Sequence, residues 1–347
     1  MNYRLLGKSG LRVSEAALGA MTFGEDWGFG AGKEAARAIY DHYRGAGGNF
    51  IDTANVYTNG TSESLVGEFM ADHRQSMVLA TKYTLAMPGG SDANLSGNSR
   101  KNMVQAVEAS LKRMKTDYID LLWMHVWDGG MTPVEEVMRG LDDLVRQGKI
   151  LYTGISDAPA WWVAQANTLA SERHQTPFVA LQIEYSLVER TVERELLPMA
   201  KALGMTVTAW SPLAGGVLSG KYHGKEKNAD GRMNTPMMAG QAGKQDPRLD
   251  RIIAAVKHVA DETGRSMAQI SLAWLNHREQ PVISILGARK LAQLQDNLAS
   301  LELKLTAEQI ASLDEASAID PGFPASMYAN PMVQQLRFGG MRDSILA

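Results

Sequence analysis

The sequence contains no cysteine. That excludes a disulfide scaffold, a thiolate nucleophile and a Cys-ligated metal, and it suits a reducing compartment. Charge of one sign is missing too, because 35 Lys and Arg face 38 Asp and Glu for a formal net charge of −3. No basic field is present to attract nucleic acid, and no charged tail is expected. No apolar run approaches the ~20 residues that a bilayer span requires. The opening residues Met-Asn-Tyr-Arg-Leu-Leu-Gly-Lys lack the basic and then apolar pattern of a signal peptide. His-x-x-x-His, His-Glu-x-x-His and clustered carboxylates are all absent, so no metal is expected. A soluble, cytoplasmic protein acting on a small molecule, with neither nucleic acid nor membrane as partner, is the expectation. Its oligomeric state is left open.

What is present is an apolar content of 45% in 347 residues, enough core for one large α/β barrel or two smaller domains. Short β-branched runs alternate with longer helical stretches, the pattern of βα units around a parallel sheet. Eight runs qualify as strands: Glu15–Leu18, Asn49–Asp52, Met77–Thr81, Ile119–Met124, Leu151–Ile155, Phe178–Gln182, Thr206–Trp210 and Val282–Leu286. Helical stretches between them include Lys33–Gly47, Arg100–Met114, Pro133–Gln147, Ala160–Ser171 and Arg194–Leu203. Eight is the number that closes a barrel. Ahead of them, Tyr3–Leu6 and Arg12–Ser14 flank Gly-Lys-Ser-Gly as a hairpin. An open doubly wound sheet would need Gly-x-Gly-x-x-Gly straight after an early strand, whereas Gly45-Ala-Gly-Gly48 ends a helix. No linker divides the chain, so residues 1–347 read as one domain. Leu213–Gln245, the longest irregular stretch, reads as a lid or cofactor loop.

Four polar residues fall at or just beyond strand ends: Asp52, Tyr57, Lys82 and His125. Strand ends of a parallel barrel converge on one rim, so these side chains can meet around one substrate atom. A phenol releases its proton near neutrality only if its anion is stabilised. Lys82 would stabilise it, Asp52 would balance the lysine, and His125 would donate to a carbonyl oxygen gaining negative charge. Taken singly, each has an ordinary reading as a cap, a loop residue or a core histidine. Four on successive strand ends point instead to carbonyl reduction, and the hydride must come from a nicotinamide cofactor.

The words Asp52-Thr-Ala-Asn-Val-Tyr57, Thr-Lys82, Asp-Tyr-Ile-Asp-Leu-Leu before His125, and Trp210-Ser-Pro-Leu-Ala-Gly-Gly follow in order. In these the chain resembles the aldo-keto reductase superfamily from about Tyr3 to Leu313. The resemblance implies a (β/α)8 TIM barrel with an N-terminal β-hairpin and C-terminal helices and tail. It further implies NADP(H) extended across the carboxyl rim, Tyr57 as general acid, Lys82 and Asp52 as its tuning pair, and His125 orienting the carbonyl. Carried over by motif, Ser156, Asp157 and Gln182 face the nicotinamide carboxamide and Tyr185 stacks on the ring. Ser211, Leu213, Gly215 and Lys221 line the pyrophosphate, Trp210 and Pro212 also belong to the cofactor site, and Arg289, Gln293 and Asn297 hold the adenosine end. Arg289, able to bind a 2′-phosphate bidentately, favours NADPH over NADH.

One departure stands out, because the family commonly reads Gly-x-Ser-Asn where this chain has Gly154-Ile-Ser-Asp157. An ionised Asp only accepts hydrogen bonds. Gly215-Gly-Val-Leu-Ser-Gly-Lys221 also matches a nucleotide-phosphate loop, but Tyr222 occupies the Mg²⁺-binding Ser or Thr position, which argues against an ATPase. Met21, Phe23, Trp27, Tyr83 and Trp127, with Tyr328 or Met332 of the tail, are candidate walls of a pocket for hydrophobic or aromatic carbonyls. The alternative function is a cofactor-sensing regulatory subunit of the same fold that turns over slowly.

Overall fold

A computed structural model of the chain describes residues 1–87, 89, 92–222 and 247–345. Two short strands, β1 (Tyr3–Leu5) and β2 (Arg12–Ser14), form the antiparallel hairpin. Eight parallel strands follow: β3 (Ala16–Gly19), β4 (Phe50–Asp52), β5 (Val78–Tyr83), β6 (Ile119–Met124), β7 (Ile150–Ser156), β8 (Phe178–Glu184), β9 (Thr206–Trp210) and β10 (Val282–Gly287). They close in chain order, with β10 pairing both β9 and β3. The expected (β/α)8 barrel is therefore present, and the expected strands differ from the observed ones by at most two residues at either end.

Strands buried on both faces are expected to be largely apolar on both, and most of their positions here are. Inside the barrel, Ala17, Phe50, Val78, Ala80, Leu121, Trp123, Ala180, Ile283 and Ile285 pack together, and Leu6 and Val13 close the amino end from the hairpin. The alternate residues, such as Leu79, Leu122 and Ile155, face the surrounding helices. Gly154 lacks a side chain because the Trp123 ring lies over it: a Cβ there would sit 2.3 Å from that ring.

Helices Lys33–Gly45, Arg100–Met114, Val134–Arg146, Ala160–Glu172 and Leu196–Leu203 link the strands. Ser99 caps the second by accepting from the Asn102 N–H, and Gly204 at φ 67° ends the last. That last helix starts two residues later than periodicity suggests. Pro198 lies in its first turn, where a missing N–H is tolerated, and a 3-10 turn, Thr191–Glu193, precedes it.

After β9 the chain makes a 3-10 turn, Ala214–Ser219, before helices Pro247–Thr263 and Met267–Asn276. The rest of the expected lid, residues 223–245, lies outside the described residues. Leu291–Ala299, Ala307–Ala316, Ala325–Ala329 and Pro331–Phe338 supply the expected C-terminal helices. Among the described residues, no helix is long and apolar enough to cross a membrane.

Candidate active site

Period-2 alternation decides which strand residues look into the barrel. Lys82 shares the inward face of β5 with Val78 and Ala80, directly above the packed interior. Asp52 follows Phe50 on the inward face of β4 in the same way, and His125 follows Trp123 just past β6. Tyr57 is brought back by a tight turn after β4 in which Thr58 (φ 45°) and Asn59 (φ 54°) are left-handed. Thr58 Oγ1 anchors that turn with a 2.6 Å bond to the Phe23 carbonyl.

The four expected residues meet. Lys82 Nζ donates to Asp52 Oδ2, to the Thr53 carbonyl at 2.9 Å and to Tyr57 Oη at 3.1 Å, which uses all three ammonium protons. Gln182 Nε2 donates to the other Asp52 oxygen at 2.9 Å. The Tyr57 and His125 rings stand edge to face, with centroids 5.9 Å apart and an interplanar angle of 83°. Thr53 and Gln182 thus complete a network whose links sequence alone did not reveal.

The side chains of Lys82 and Asp52 are 0% and 4% exposed. Burial alone would strip the Lys82 proton, but Asp52 and Tyr57 outweigh it and hold the ammonium above its ordinary range. Burial also raises the Tyr57 phenol, with Asp52 and Asp157 adding to the rise and Lys82 opposing it. The expected acidifying pull of Lys82 is there, but desolvation is larger, so the phenol keeps its proton at neutral pH. His125 is pushed down to about 3, by burial first and then by the Lys82 charge. Its imidazole is neutral. Its Nδ1 is buried with no partner among the described residues.

The rim is strained. Among the described residues eight non-glycine residues have a left-handed φ, and six of them (Thr58, Asn59, Thr84, Asp157, Ser211 and Ala214) follow barrel strands at the carboxyl end. Thr84 at φ 111° is the most extreme, and a β-branched residue there is a true outlier. Its Oγ1 accepts from the His125 N–H at 3.3 Å and donates to Asn98 at 2.8 Å, so the strained turn fixes the backbone of His125. Strain of this kind gathers where function demands a geometry that regular structure does not give.

The profile of the aldo/keto reductase family matches residues 16–318, covering every barrel strand and all four converging side chains. The chain belongs to the aldo/keto reductase family. It is similar to an aryl-alcohol dehydrogenase [NADP(+)] of Phanerodontia chrysosporium, 36% identical over 335 residues, which is 92% of this chain and 87% of that one. It is likewise similar to norsolorinic acid reductase of Aspergillus flavus, 37% identical over 347 residues, 96% of this chain and 86% of the relative. This aldo/keto reductase is an oxidoreductase of carbonyl groups.

The residues expected to hold a cofactor in this reductase occupy the rim on one side, from β7 to β10. Ser156 is buried at the end of β7, and Asp157 is exposed along the cleft. Even so, desolvation by the surrounding loops raises the Asp157 carboxyl, while the hydrogen bond from Trp210 and the Lys82 charge oppose the rise. Trp210 Nε1 donates to Asp157 Oδ1 at 3.0 Å. Beyond β9, Ser211, Pro212, Leu213 and Gly215 form the turn, with the Gly215 N–H donating to Ser211 Oγ at 3.1 Å.

Gly215 and Gly216 are both left-handed, and a Cβ on Gly216 would lie 2.5 Å from Lys221 Nζ. An ammonium laid against bare backbone is a cradle suited to a phosphate. The helix Met267–Asn276 packs on both this turn and the helix Leu291–Ala299, joining the two ends of the rim. There Gln293 Oε1 accepts from the Arg289 and Lys290 N–H groups at 2.9 and 3.2 Å, which fixes the base of the Arg289 side chain. Asn297 is buried on the same helix. A donor set of one lysine, one arginine and glycine backbone fits a dinucleotide with phosphates at both ends of the cleft. The apparent nucleotide-phosphate loop is a 3-10 turn at Ala214–Ser219.

Three expectations need correcting. Tyr185 does not offer a ring face: it is 1% exposed, stands edge-on to Trp274 at 5.5 Å and donates to Glu193 at 2.7 Å. Half-buried Trp210, one strand further on, is the aromatic residue on this side of the rim that keeps exposed surface. Phe23 is fully buried and packs edge-on against Phe69 at 6.2 Å, within the outer core. Tyr83 is fully buried there too, because inward Lys82 forces its neighbour outward.

The other pocket candidates are better placed. Trp27 stands edge-on to Tyr57 at 6.3 Å and is held by Asn59 through a 3.3 Å bond. Trp127 and Met21 are half-buried, whereas Tyr328 and Met332 are exposed. Trp161, which the sequence reading passed over, meets Trp127 edge to face at 5.8 Å and is 59% exposed. Its place at the start of a helix just past β7 was the available signal.

Proposed function

We propose that this aldo/keto reductase reduces aldehydes or ketones to alcohols with NADPH, in a reversible reaction, with Tyr57 as the general acid. The observation that carries the reading is the buried chain from Gln182 through Asp52 and Lys82 to Tyr57, ending beside His125. The names of the relatives, one an NADP(+) aryl-alcohol dehydrogenase and one a reductase, support it.

Bound NADPH would supply the hydride. Ser156 and Trp210, the latter bonded to Asp157, would hold its nicotinamide end, the Ser211–Lys221 turn its pyrophosphate, and Arg289, Gln293 and Asn297 its adenosine end. The chain's own residues do the rest. Neutral His125 directs its ring N–H at the carbonyl oxygen, which holds the substrate and stabilises the charge that develops there. Tyr57, kept protonated by its burial, passes its proton to that oxygen. The phenolate left behind faces the Lys82 ammonium, and Asp52 keeps that ammonium charged. Trp27, Trp127 and Trp161 make the mouth aromatic, which favours hydrophobic or aromatic carbonyls.

Tyr57→Phe removes the acid while leaving the cleft its shape. Turnover of a probe aryl aldehyde should fall by about 10²–10⁴-fold, with NADPH affinity within about twofold of wild type in a fluorescence titration. Equal turnover in the two proteins ends the acid assignment. Wild-type turnover too slow to measure across a panel of carbonyls would favour the sensing subunit instead.

A further inference from the structure

Asp157 carries a carboxylate that only accepts hydrogen bonds, an odd choice for greeting a carboxamide. The structure shows what it accepts. Trp210 has one polar atom, the indole Nε1, and it donates to Asp157 Oδ1 at 3.0 Å. We propose that Asp157 is a positioning residue for Trp210, tying the indole across the rim so that its face stays turned to the cofactor. The proposal rests on the cofactor reading above and assigns Asp157 an indirect role in it.

Geometry supports the tie. Asp157 follows β7 and Trp210 ends β9, with β8 paired between them, so the bond spans two strand gaps at the mouth of the barrel. Both ends are built in. The Asp157 N–H donates to the Gln182 carbonyl and its own carbonyl accepts from the Trp127 N–H, each at 3.3 Å. Its φ of 45° is left-handed, a conformation that Asp and Asn tolerate better than most residues. Trp210 is anchored by its pairing with Glu184, and its carbonyl accepts from the Tyr185 N–H at 3.4 Å.

A half-exposed indole without such a tie would sample several rotamers, and a ligand stacking on it would have to freeze them. The Trp210 bond also opposes the rise that desolvation imposes on the Asp157 carboxyl, as expected for an acceptor in use.

The test is a double-mutant cycle with two readouts. Asp157→Gly removes the carboxylate and suits the left-handed backbone, Asp157→Asn keeps an acceptor oxygen, and Trp210→Phe removes the indole donor. In NADPH titrations, Asp157→Gly should weaken binding about fivefold, while Asp157→Asn should stay within about twofold. In the Trp210→Phe background, Asp157→Gly should add nothing. Without cofactor, the near-UV circular dichroism difference between wild type and Asp157→Gly should vanish when both carry Trp210→Phe. Equal weakening in both backgrounds would overturn the tie in favour of direct contact with the cofactor. An Asp157→Asn variant as weak as Asp157→Gly would overturn it as well, since charge rather than an acceptor would then matter. Wild-type protein that binds no NADPH would sink the cofactor reading, and the spectral arm would still decide the tie.

Discussion

Replacing Lys82 with Met removes the buried charge while keeping a straight apolar stem, so packing changes little. The wild-type ammonium is 0% exposed and satisfies three acceptors, Asp52, Thr53 and Tyr57. Removing one partner of a buried ion pair costs about 3–5 kcal/mol, chiefly because the other charge is stranded. In the variant, Asp52 keeps only the 2.9 Å bond from Gln182. It must carry an unpaired charge in the core or take up a proton. The unfolded chain ionises the carboxyl freely, so as pH rises the unfolded state sheds a proton that the folded variant retains. Stability relative to wild type then falls by about 1.4 kcal/mol per pH unit until the folded state also ionises.

At about pH 4.5 the deficit should be that of the lost hydrogen bonds, roughly 1–3 kcal/mol, and by about pH 7.5 it should approach the full figure of about 3–5 kcal/mol. Urea unfolding of both proteins at three pH values, followed by far-UV circular dichroism, measures it. In Asp52→Asn/Lys82→Met the slope should disappear. A deficit that is constant with pH, or a slope that survives in the double variant, refutes the reasoning.

Further predictions follow from single contacts. Gly154→Ala places a Cβ 2.3 Å from the Trp123 ring and should cost about 1–3 kcal/mol, read from the urea midpoint; an unchanged midpoint contradicts the close packing. His125 is depressed to about 3 in the folded protein, against about 6.5 unfolded. The unfolded chain therefore binds the extra proton first on acidification. Wild type should lose stability as pH falls from about 6.5 toward 3, and His125→Gln should lose less over that window in acid titrations. Arg289→Ala should weaken NADPH by roughly ten- to a hundredfold through loss of charge-assisted bonds while changing NADH little. Equal losses for both nucleotides would remove Arg289 from the 2′-phosphate.

The barrel was legible because each strand is a short apolar run between polar turns, and β6 and β9 matched residue for residue. The four converging side chains were legible for the same reason: a polar residue that closes such a run lands on the rim. What could not be read was the direction of the chain after a strand stops. Tyr185 and Trp210 both lie at the carboxyl ends of neighbouring strands, and only the turn that follows buries the first and leaves the second partly exposed. Phe23 lies in the outer core for the same reason. Tyr83 is different, because adjacency to inward Lys82 already excluded it by alternation. The Gln182 link to Asp52 joins residues 130 positions apart, a closeness that only barrel closure creates.

The left-handed residues around the mouth carry a consequence for attempts to toughen this protein. Glycine or asparagine at Thr84 or Ser211 would relieve a backbone that resists its own side chain, each change being worth on the order of 1 kcal/mol. A screen for heat resistance would find these substitutions early. They would also slacken the turn that fixes His125 and the one proposed to seat the cofactor, so hardier variants gathered there should be poorer catalysts. Sites at the opposite end of the barrel, under the hairpin, carry no such conflict and are where robustness can be gained without loss of rate.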